Sequence, residues 1–297
     1  MDATMVSQVR SFNRAVSQRI GALHDHFLAR DRPLGQARLL WEIGAGGSDV
    51  RRLRSRLDLD SGYVSRLLRS LQLDGLVTVA PSECDARIRT VGLTASGLAE
   101  RAELDERSDD AARAILDPLS RVQRERLVAA MAEVERLLMA SMVTISPADP
   151  RLSDARTCLR AYFAELARRF AEGFTPELST PVADAEMKPP AGLFLLASLQ
   201  GEPVGCGALR FNGGEPAEIK RMWVSEAVRG LGLGRRLLTE LEGQAHARGV
   251  RAVRLETNRN LTEAIGMYRT AGYREVAPFN AEPYAHHWFE KELDTSS

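Results

Sequence analysis

The sequence predicts a chain of two domains, mainly α-helical in its first half and α/β in its second. Three observations carry that prediction. The chain has 297 residues, and a domain commonly takes about 100–200 of them. Through the first half, apolar residues recur at steps of three and four, the helical period. Then "TISPADPRLSD" breaks the pattern with two prolines and small polar residues, and beyond it apolar runs are short and alternating. The reading is one domain over 1–145, a linker over 146–152 and a second domain over 153–297.

Composition narrows the classes of function. Apolar residues make up 44% of the chain, enough for two cores, and 40 basic residues balance 40 acidic ones. No global field draws nucleic acid or membrane, so any DNA-binding surface is local. Cys84, Cys158 and Cys206 are scattered and odd in number, which indicates neither a disulfide framework nor a zinc site, and no metal is expected. The opening "MDATMVSQVRSFNRAV" has no apolar core of a signal peptide. No run of about 18 apolar residues occurs. A soluble, cytoplasmic protein without membrane contact is expected.

The elements follow in order. Val6, Val9, Phe12, Val16, Ile20, Leu23 and Phe27 form one stripe on a long first helix. That stripe is wider than a small domain needs, and it serves either the core or a helical dimer interface. "RPLGQARLLWEIGAGG" is a helix opened by Pro33 and closed by glycines. "SDVRRLRSRLDL" is a second, with Ser48 as its expected N-cap. "DSGYVSRLLRSLQLDGLV" is a third, capped by Asp60 or Ser61 and ended at Gly75. "LVTVAPSECDARIRTVGLT" alternates like two strands around a polar tip. Leu119, Val122, Leu127, Met131, Val134, Leu138 and Met142 mark a closing long helix.

Helix, tight turn, helix and hairpin make a winged helix-turn-helix. Such a unit offers small polar and Arg side chains to base edges in the major groove, with the hairpin tip near the minor groove. Ser61, Ser65, Arg66 and Arg69 lie on the candidate recognition helix, and Arg87 and Arg89 in the wing. Each Arg has the alternative of being a solvated surface charge. Tyr63 either touches a thymine methyl or packs, while Val64, Leu67, Leu68 and Leu71 take the buried side. With "LDSGYVSRLLRSLQLDGLV" and "CDARIRTVGLTASG", the first half resembles the MarR family of bacterial regulators. The resemblance implies a homodimer formed through the long helices and binding to near-palindromic double-stranded DNA. It also implies Arg87 in the minor groove, held by Asp85. Cys84 stands beside that pair, but a redox role is disfavoured because no second cysteine is near it in sequence.

In the second half, Ser153 is the expected cap of a helix bearing Leu159, Tyr162, Phe163, Leu166 and Phe170. "GLFLLASL", "QGEP" and "VGCGALRF" read as a hairpin and "AEIKRMWV" as a further strand. "RGLGLGRRLL" then packs Gly230, Gly232 and Gly234 ahead of a helix whose inward face is Leu237, Leu238, Leu241 and Ala245. Free N–H groups at a helix start, turned by glycines without Cβ interference, suit an anion. "RAVRLET" is a strand, "TEAIGMYRTAG" a helix and "HHWFEKEL" a closing strand. His286 and His287 are adjacent, so on a strand they point to opposite faces and a core or rim role outweighs a metal pair. Tyr284 and Trp288 are placed to shape an aromatic-tolerant pocket.

The glycine stretch fits neither a Walker motif nor the dinucleotide spacing. Arg229-x-x-Gly232-x-Gly234, with "EIKRMWV" before it and "TEAIGMYRTAGYRE" after it, resembles the GNAT N-acetyltransferases over 153–297. The resemblance implies an α/β fold with a mixed, splayed central sheet and acetyl-CoA as donor. By it, the pyrophosphate lies on Arg229, Gly230, Leu231, Gly232, Leu233, Gly234 and Arg235. The pantetheine arm follows Met222, Trp223 and Val224. Where this family often has an Asn, position 261 is Leu, so Asn258 or Asn260 is the expected substitute toward the pantetheine amides.

Acetyl transfer to an amine needs a base for the amine and an acid for the departing thiolate. Glu218, on the same face as Lys220 and Met222 by strand alternation, is the candidate base, with simple pairing to Lys220 or Arg221 as the alternative. Tyr268 is the candidate acid, by its match to the family's position, with plain aromatic packing as the alternative. A backbone N–H near Val224 is the candidate to polarise the thioester carbonyl. The leading expectation is a regulator that is also an N-acetyltransferase, its acceptor a small amine or a protein lysine. The alternatives are a regulator whose second domain only senses acetyl-CoA, and an acetyltransferase whose winged domain only dimerises and docks substrate.

Overall fold

α1 (Ala3–Arg19) starts where the Asp2 carboxylate accepts from Thr4 N at 2.9 Å. It stops well short of the stripe's expected end, with Gly21 at φ 65° just beyond. The structure, a computed structural model, describes residues 2–21, 27–82, 88–170, 173–211, 213 and 216–293. Leu23 therefore lies outside the described residues, and Phe27 is buried in a separate 3-10 turn with its ring 6.2 Å from Trp41. The chain divides into two compact units, Met1–Ala132 and Glu133–Ser297.

In the first unit, α2 (Leu34–Ile43) follows Pro33 and ends at Gly44, φ 64°. The short β1 (Ser48–Asp49) runs into α3 (Val50–Leu57). Its cap is Asp49, accepting from Arg51 N and Arg52 N at 2.6 and 3.2 Å. Ser48, the expected cap, is one residue too early; it and Asp49 pair with Val91 and Thr90. α4 (Ser61–Leu73) is capped by Asp60, which accepts from Tyr63 N at 2.8 Å. The hairpin of β2 (Val77–Pro81) and β3 (Arg89–Leu93) completes a sheet of order β1-β3-β2. α5 (Ala95–Leu116), a helix the apolar pattern had not singled out, is followed by α6 (Arg121–Met142). Leu39, Leu40, Leu53, Leu68, Leu71 and Leu104 fill the core. Neither α1 nor α6 buries a residue in this chain; Val9 stays 58% and Val122 57% exposed.

The second unit is built on a mixed sheet of order β4-β5-β6-β7-β8-β10-β9. Its strands are β4 (Thr144–Pro147), β5 (Gly192–Leu199), β6 (Glu202–Arg210), β7 (Ala217–Val224), β8 (Ala252–Thr257), β9 (Arg274–Val276) and β10 (His287–Glu292). Ser146 and Pro147, read as linker, belong to β4 and pair with Leu196 and Leu195. Pro is tolerated there because β4 is an edge strand. α7 (Ser153–Arg169) has Leu152, not Ser153, at its N-cap; the Ser153 hydroxyl instead lies 3.3 Å from Asp154 Oδ1. α8 (Leu233–His246) and α9 (Thr262–Thr270) complete the unit. Leu237, Leu238 and Leu241 of α8 are fully buried, each contributing roughly 1.5–3 kcal/mol. They anchor the helix whose first turn bears the glycines. Among the described residues, no helix is long and apolar enough to cross a membrane.

Candidate functional site

β7 and β8 are the parallel neighbours of the sheet, and they pair only at Ala217↔Val253 and Glu218↔Arg254. Beyond Glu218 they part, so this side of β7 offers backbone that no ladder to β8 uses. On the other side, register with β6 shifts between Cys206 and Ala208, setting Arg221 and Met222 against Gly207. That bulge holds Arg221 at φ 57° and upsets the period-two alternation along β7. Extrapolating one face from Met222 back to Glu218 therefore fails.

A cleft of about 510 Å³ opens at the splay. Met222, Trp223, Val224, Arg229, Gly230, Gly232, Leu233, Gly234 and Arg235 line it. Leu231 packs on the core and Asn258 lines a different cavity. Gly230 and Gly232 stand at φ 78° and 75°, and Gly232 is the N-cap of α8. A Cβ on Gly232 would meet nothing within 4 Å, so backbone conformation rather than crowding calls for glycine there. At Gly234 crowding matters, since a Cβ would lie 3.1 Å from Met267 Sδ. Arg229 braces this loop: its Nε donates to Val224 O at 3.2 Å and its Nη2 pairs with Glu165. Glu165, which the sequence had not flagged, also accepts from Trp223 Nε1 at 2.8 Å. Arg235 donates to Thr270 Oγ1 at 3.1 Å.

A smaller cavity of about 110 Å³ lies against the cleft, and Tyr162, Leu166, Met222, Leu261, Ala264 and Tyr268 line both. Tyr268 thus stands in the shared wall. It is 6% exposed, with its ring 5.8 Å from Tyr273 and 6.0 Å from Phe289. Burial, with the Tyr162 and Glu256 charges nearby, pushes its phenol well above the ordinary value. A phenol so placed keeps its proton at neutral pH and has one to give.

Glu218 lines neither cavity. It is 2% exposed and sits 2.7 Å from Arg210 Nη2, 2.7 Å from Arg254 Nη2 and 3.1 Å from Lys220 Nζ. Burial raises its carboxyl. The Lys220 charge, hydrogen bonds from Arg254 and Lys220, and the Arg210 charge outweigh that and leave it lowered to about 2. A carboxylate tied this strongly is a poor base, which corrects the sequence expectation in favour of its pairing alternative. Glu256, on β8, lines the smaller cavity, with Lys220 Nζ at 2.5 Å and Asn280 Nδ2 at 3.3 Å. Lys220 thus bridges the two carboxylates. Sequence reasoning missed Glu256; its place in "RLET", on the strand that parts from β7, was the available signal.

Asn258 is also corrected. Its Nδ2 donates to Tyr284 O at 2.8 Å and its Oδ1 accepts from Asn260 N at 2.9 Å, so it clips a loop. Asn260 Nδ2 in turn donates to Arg169 O at 2.9 Å. Neither residue lines the larger cleft. His286 lies 2.7 Å from Arg259 Nη2 and His287 Nδ1 2.6 Å from Glu275 Oε1, in keeping with rim roles. Tyr284 lines the smaller cavity; Trp288 does not and donates from Nε1 to Asn280 Oδ1 at 2.9 Å.

In the first unit, Ser61, Ser65, Arg66 and Arg69 are all on the exposed face of α4. Ser61 and Ser65 line a shallow concavity with Arg51, Arg54 and Arg89. Arg51 and Arg54 had not been singled out, although "RRLRSR" puts their charges on the helix preceding the recognition helix. The Arg66 guanidinium lies 5.6 Å from the Tyr63 ring centre. The Tyr63 hydroxyl reaches so near Gly35 that a Cβ there would be 2.9 Å away, which favours packing for this tyrosine. Cys84, Asp85 and Arg87 lie outside the described residues.

Comparison with known proteins finds a family match in each half of the chain. Residues 159–273 match the Acetyltransferase (GNAT) family, and residues 31–88 match the MarR family. An IAA acetyltransferase of Azospirillum brasilense is 41% identical over 92 residues, covering 31% of this chain and 59% of that protein. The chain thus spans well under two thirds of that relative's length. An uncharacterized N-acetyltransferase of Schizosaccharomyces pombe is 28% identical over 135 residues, covering 44% of this chain and 82% of the relative. Among solved structures, a GNAT-family acetyltransferase of Staphylococcus aureus covers 51% of this chain and 99% of its own at 16% identity, with a TM-score of 0.42.

Proposed function

We propose that this chain, in which a MarR-family segment precedes a GNAT acetyltransferase domain, is a DNA-binding regulator that also transfers acetyl from acetyl-CoA to an amine. The observation that carries the proposal is the shared wall. A cleft fitted to the donor and a cavity fitted to an acceptor meet at Tyr268, beside the splayed strand. The residues suit acetyl-CoA: positive-φ glycines at an α8 N-terminus for the phosphates, and free β7 backbone for the pantetheine amides.

In this reading the acceptor nitrogen, once neutral, attacks the thioester carbonyl, a C–N bond forms and the C–S bond breaks. Glu256 takes the proton that the ammonium loses before attack, directly or through water, and the second nitrogen proton leaves to solvent as the C–N bond forms. Tyr268 gives its phenolic proton to the departing sulfur and regains one from solvent. A β7 backbone N–H near Val224 polarises the carbonyl oxygen. Glu218 holds Lys220, which in turn positions Glu256.

On the regulator side, a MarR-family segment implies DNA binding. Exposed Ser61, Ser65, Arg66 and Arg69, joined by Arg51 and Arg54, support a major-groove surface. The bare stripes of α1 and α6 support a homodimer, since exposed apolar faces of this extent are normally covered. The test is coenzyme A release from acetyl-CoA over a panel of amines, alongside duplex binding at several salt concentrations. Release with at least one amine and salt-dependent DNA binding support both activities. Acetyl-CoA binding without release would reduce the second unit to a sensor. Absence of salt-dependent binding would reduce the first to a docking platform.

A further inference from the structure

We infer that the acceptor is a small α-amino acid with an apolar side chain, its carboxylate held by Arg221 and its ammonium received beside Glu282. The inference rests on the acetyltransferase reading for the fate of that amine, but its binding half stands on charge and shape alone.

Charge comes first. Four ionisable side chains of formal charge line the smaller cavity: Lys220, Arg221, Glu256 and Glu282. Lys220 and Glu256 pair with each other at 2.5 Å, which leaves Arg221 and Glu282 as the cation and the anion among the lining residues. Arg221 has no carboxylate partner among the described residues. Nearby Arg169, Arg210, Arg229 and Arg254 each have one. Its guanidinium instead lies 4.8 Å from the Phe163 ring centre and 5.8 Å from that of Tyr162, and it is carried into place by the bulge at φ 57°. Glu282 is held by neutral donors: Ser179 Oγ at 3.1 Å, Thr180 N at 2.7 Å and Tyr284 N at 3.4 Å. A half-buried guanidinium and a carboxylate, each lacking an opposite charge, fit a ligand that brings both. An α-amino acid does.

Shape supplies the rest. Phe174 lies 5.6 Å from Phe170 and 4.8 Å from Tyr284, ring centre to ring centre, giving the cavity an aromatic wall for an apolar body. The Tyr284 hydroxyl accepts from Thr175 N at 3.0 Å, and together with the Glu282 bonds it ties the 175–180 segment, whose Ser179 and Thr180 line the cavity, to the cavity's other wall residues. A cavity of about 110 Å³ tied in this way favours a small molecule over a lysine on a polypeptide. Asn280 donates from Nδ2 to the Glu256 carboxylate at 3.3 Å and accepts at Oδ1 from the backbone N of Glu282 at 3.4 Å. Glu256 and Glu282 line the same cavity of about 110 Å³, so an ammonium received at Glu282 shares that space with the group proposed to take its proton.

The experiment compares L-phenylalanine with phenethylamine, which keeps the ring and the amine and lacks the carboxylate. The same comparison is run for leucine and isoamylamine, with the wild type and Arg221→Asn, since Asn tolerates positive φ better than most residues. Coenzyme A release is followed with acetyl-CoA. Calorimetric binding is followed with coenzyme A alone, where no transfer occurs. The expected result is a wild-type kcat/KM at least tenfold higher for an amino acid than for its decarboxylated partner. That ratio collapses in Arg221→Asn through KM. Amino-acid binding that needs Arg221 but releases no coenzyme A would uphold this inference and remove the transferase reading. Equal or better use of the decarboxylated amines by the wild type would overturn the inference and leave the transferase reading standing. Failure of every amino acid both to bind and to react would also overturn it. If Arg221→Asn does not fold, the wild-type ratio alone decides.

Discussion

Glu218→Gln removes the negative charge that Arg210, Lys220 and Arg254 share at 2.7, 3.1 and 2.7 Å, leaving three cations around a 2%-exposed position. The folded carboxyl is lowered from 4.5 to about 2, so ionisation is favoured in the folded state. Its contribution is fully present above about pH 4.5 and is lost as pH falls through about 2. The displacement corresponds to roughly 3 kcal/mol near neutral pH, at the lower edge of the about 3–5 kcal/mol typical of breaking a buried pair. Urea unfolding followed by the fluorescence of Trp223 and Trp288, in a Trp41→Phe background, reads it directly. With a slope of about 2 kcal/mol per M, the midpoint falls by roughly 1.5 M. Wild-type and variant curves then converge as pH drops from about 4.5 toward 2. Below its melting temperature, the variant keeps kcat within several-fold of wild type. A variant as stable as wild type, with kcat reduced by about a hundredfold or more, would restore Glu218 as the base and refute the structural reading.

Three further outcomes follow from the same geometry. Gly232→Ala forces a Cβ-bearing residue to φ 75°, at about 1–2 kcal/mol; coenzyme A affinity by calorimetry falls about tenfold, and an unchanged affinity would detach the loop from the cofactor. Val9→Asp with Phe12→Asp places charge on the exposed stripe of α1 and shifts sedimentation toward monomer, whereas a wild type already monomeric at high concentration would contradict the dimer. Arg66→Ala and Arg51→Ala each lower the slope of log affinity against log salt for duplex DNA by about 1; slopes equal to wild type would move the DNA surface elsewhere.

Much of this was legible in the sequence because local rules dominated there. The helices around Leu39, Leu67 and Leu237 declare themselves by period and by glycine or proline at their ends. The glycine loop reads directly because Gly230 and Gly232 occupy backbone conformations that few other residues adopt. Boundaries were less secure: Asp49 rather than Ser48 caps α3, because the helix starts at Val50 and the Asp49 carboxylate is the one that reaches Arg51 N and Arg52 N. Pro147 looked like a linker residue and is an edge-strand one. The proposed acid–base pair was half legible. Tyr268 lies on α9 at a position set by its match to the GNAT family. Glu218 was singled out by extending one face of β7 from Met222, and Glu256 on β8 was not considered; the bulge at Arg221 breaks that extension, and alternation alone does not reveal a bulge. The Lys220 link to Glu256 joins residues 36 positions apart and is a product of tertiary structure.

The most direct test of the account is steady-state coenzyme A release by wild type and Tyr268→Phe with the best acceptor, beside calorimetric titration of both with acetyl-CoA. The account predicts turnover by the wild type, a kcat lower by about a hundredfold in the variant, and equal acetyl-CoA affinity in both. Equal kcat values would remove Tyr268 from the chemistry, and tight binding without release by the wild type over the whole amine panel would contradict the claim that this site transfers acetyl at all.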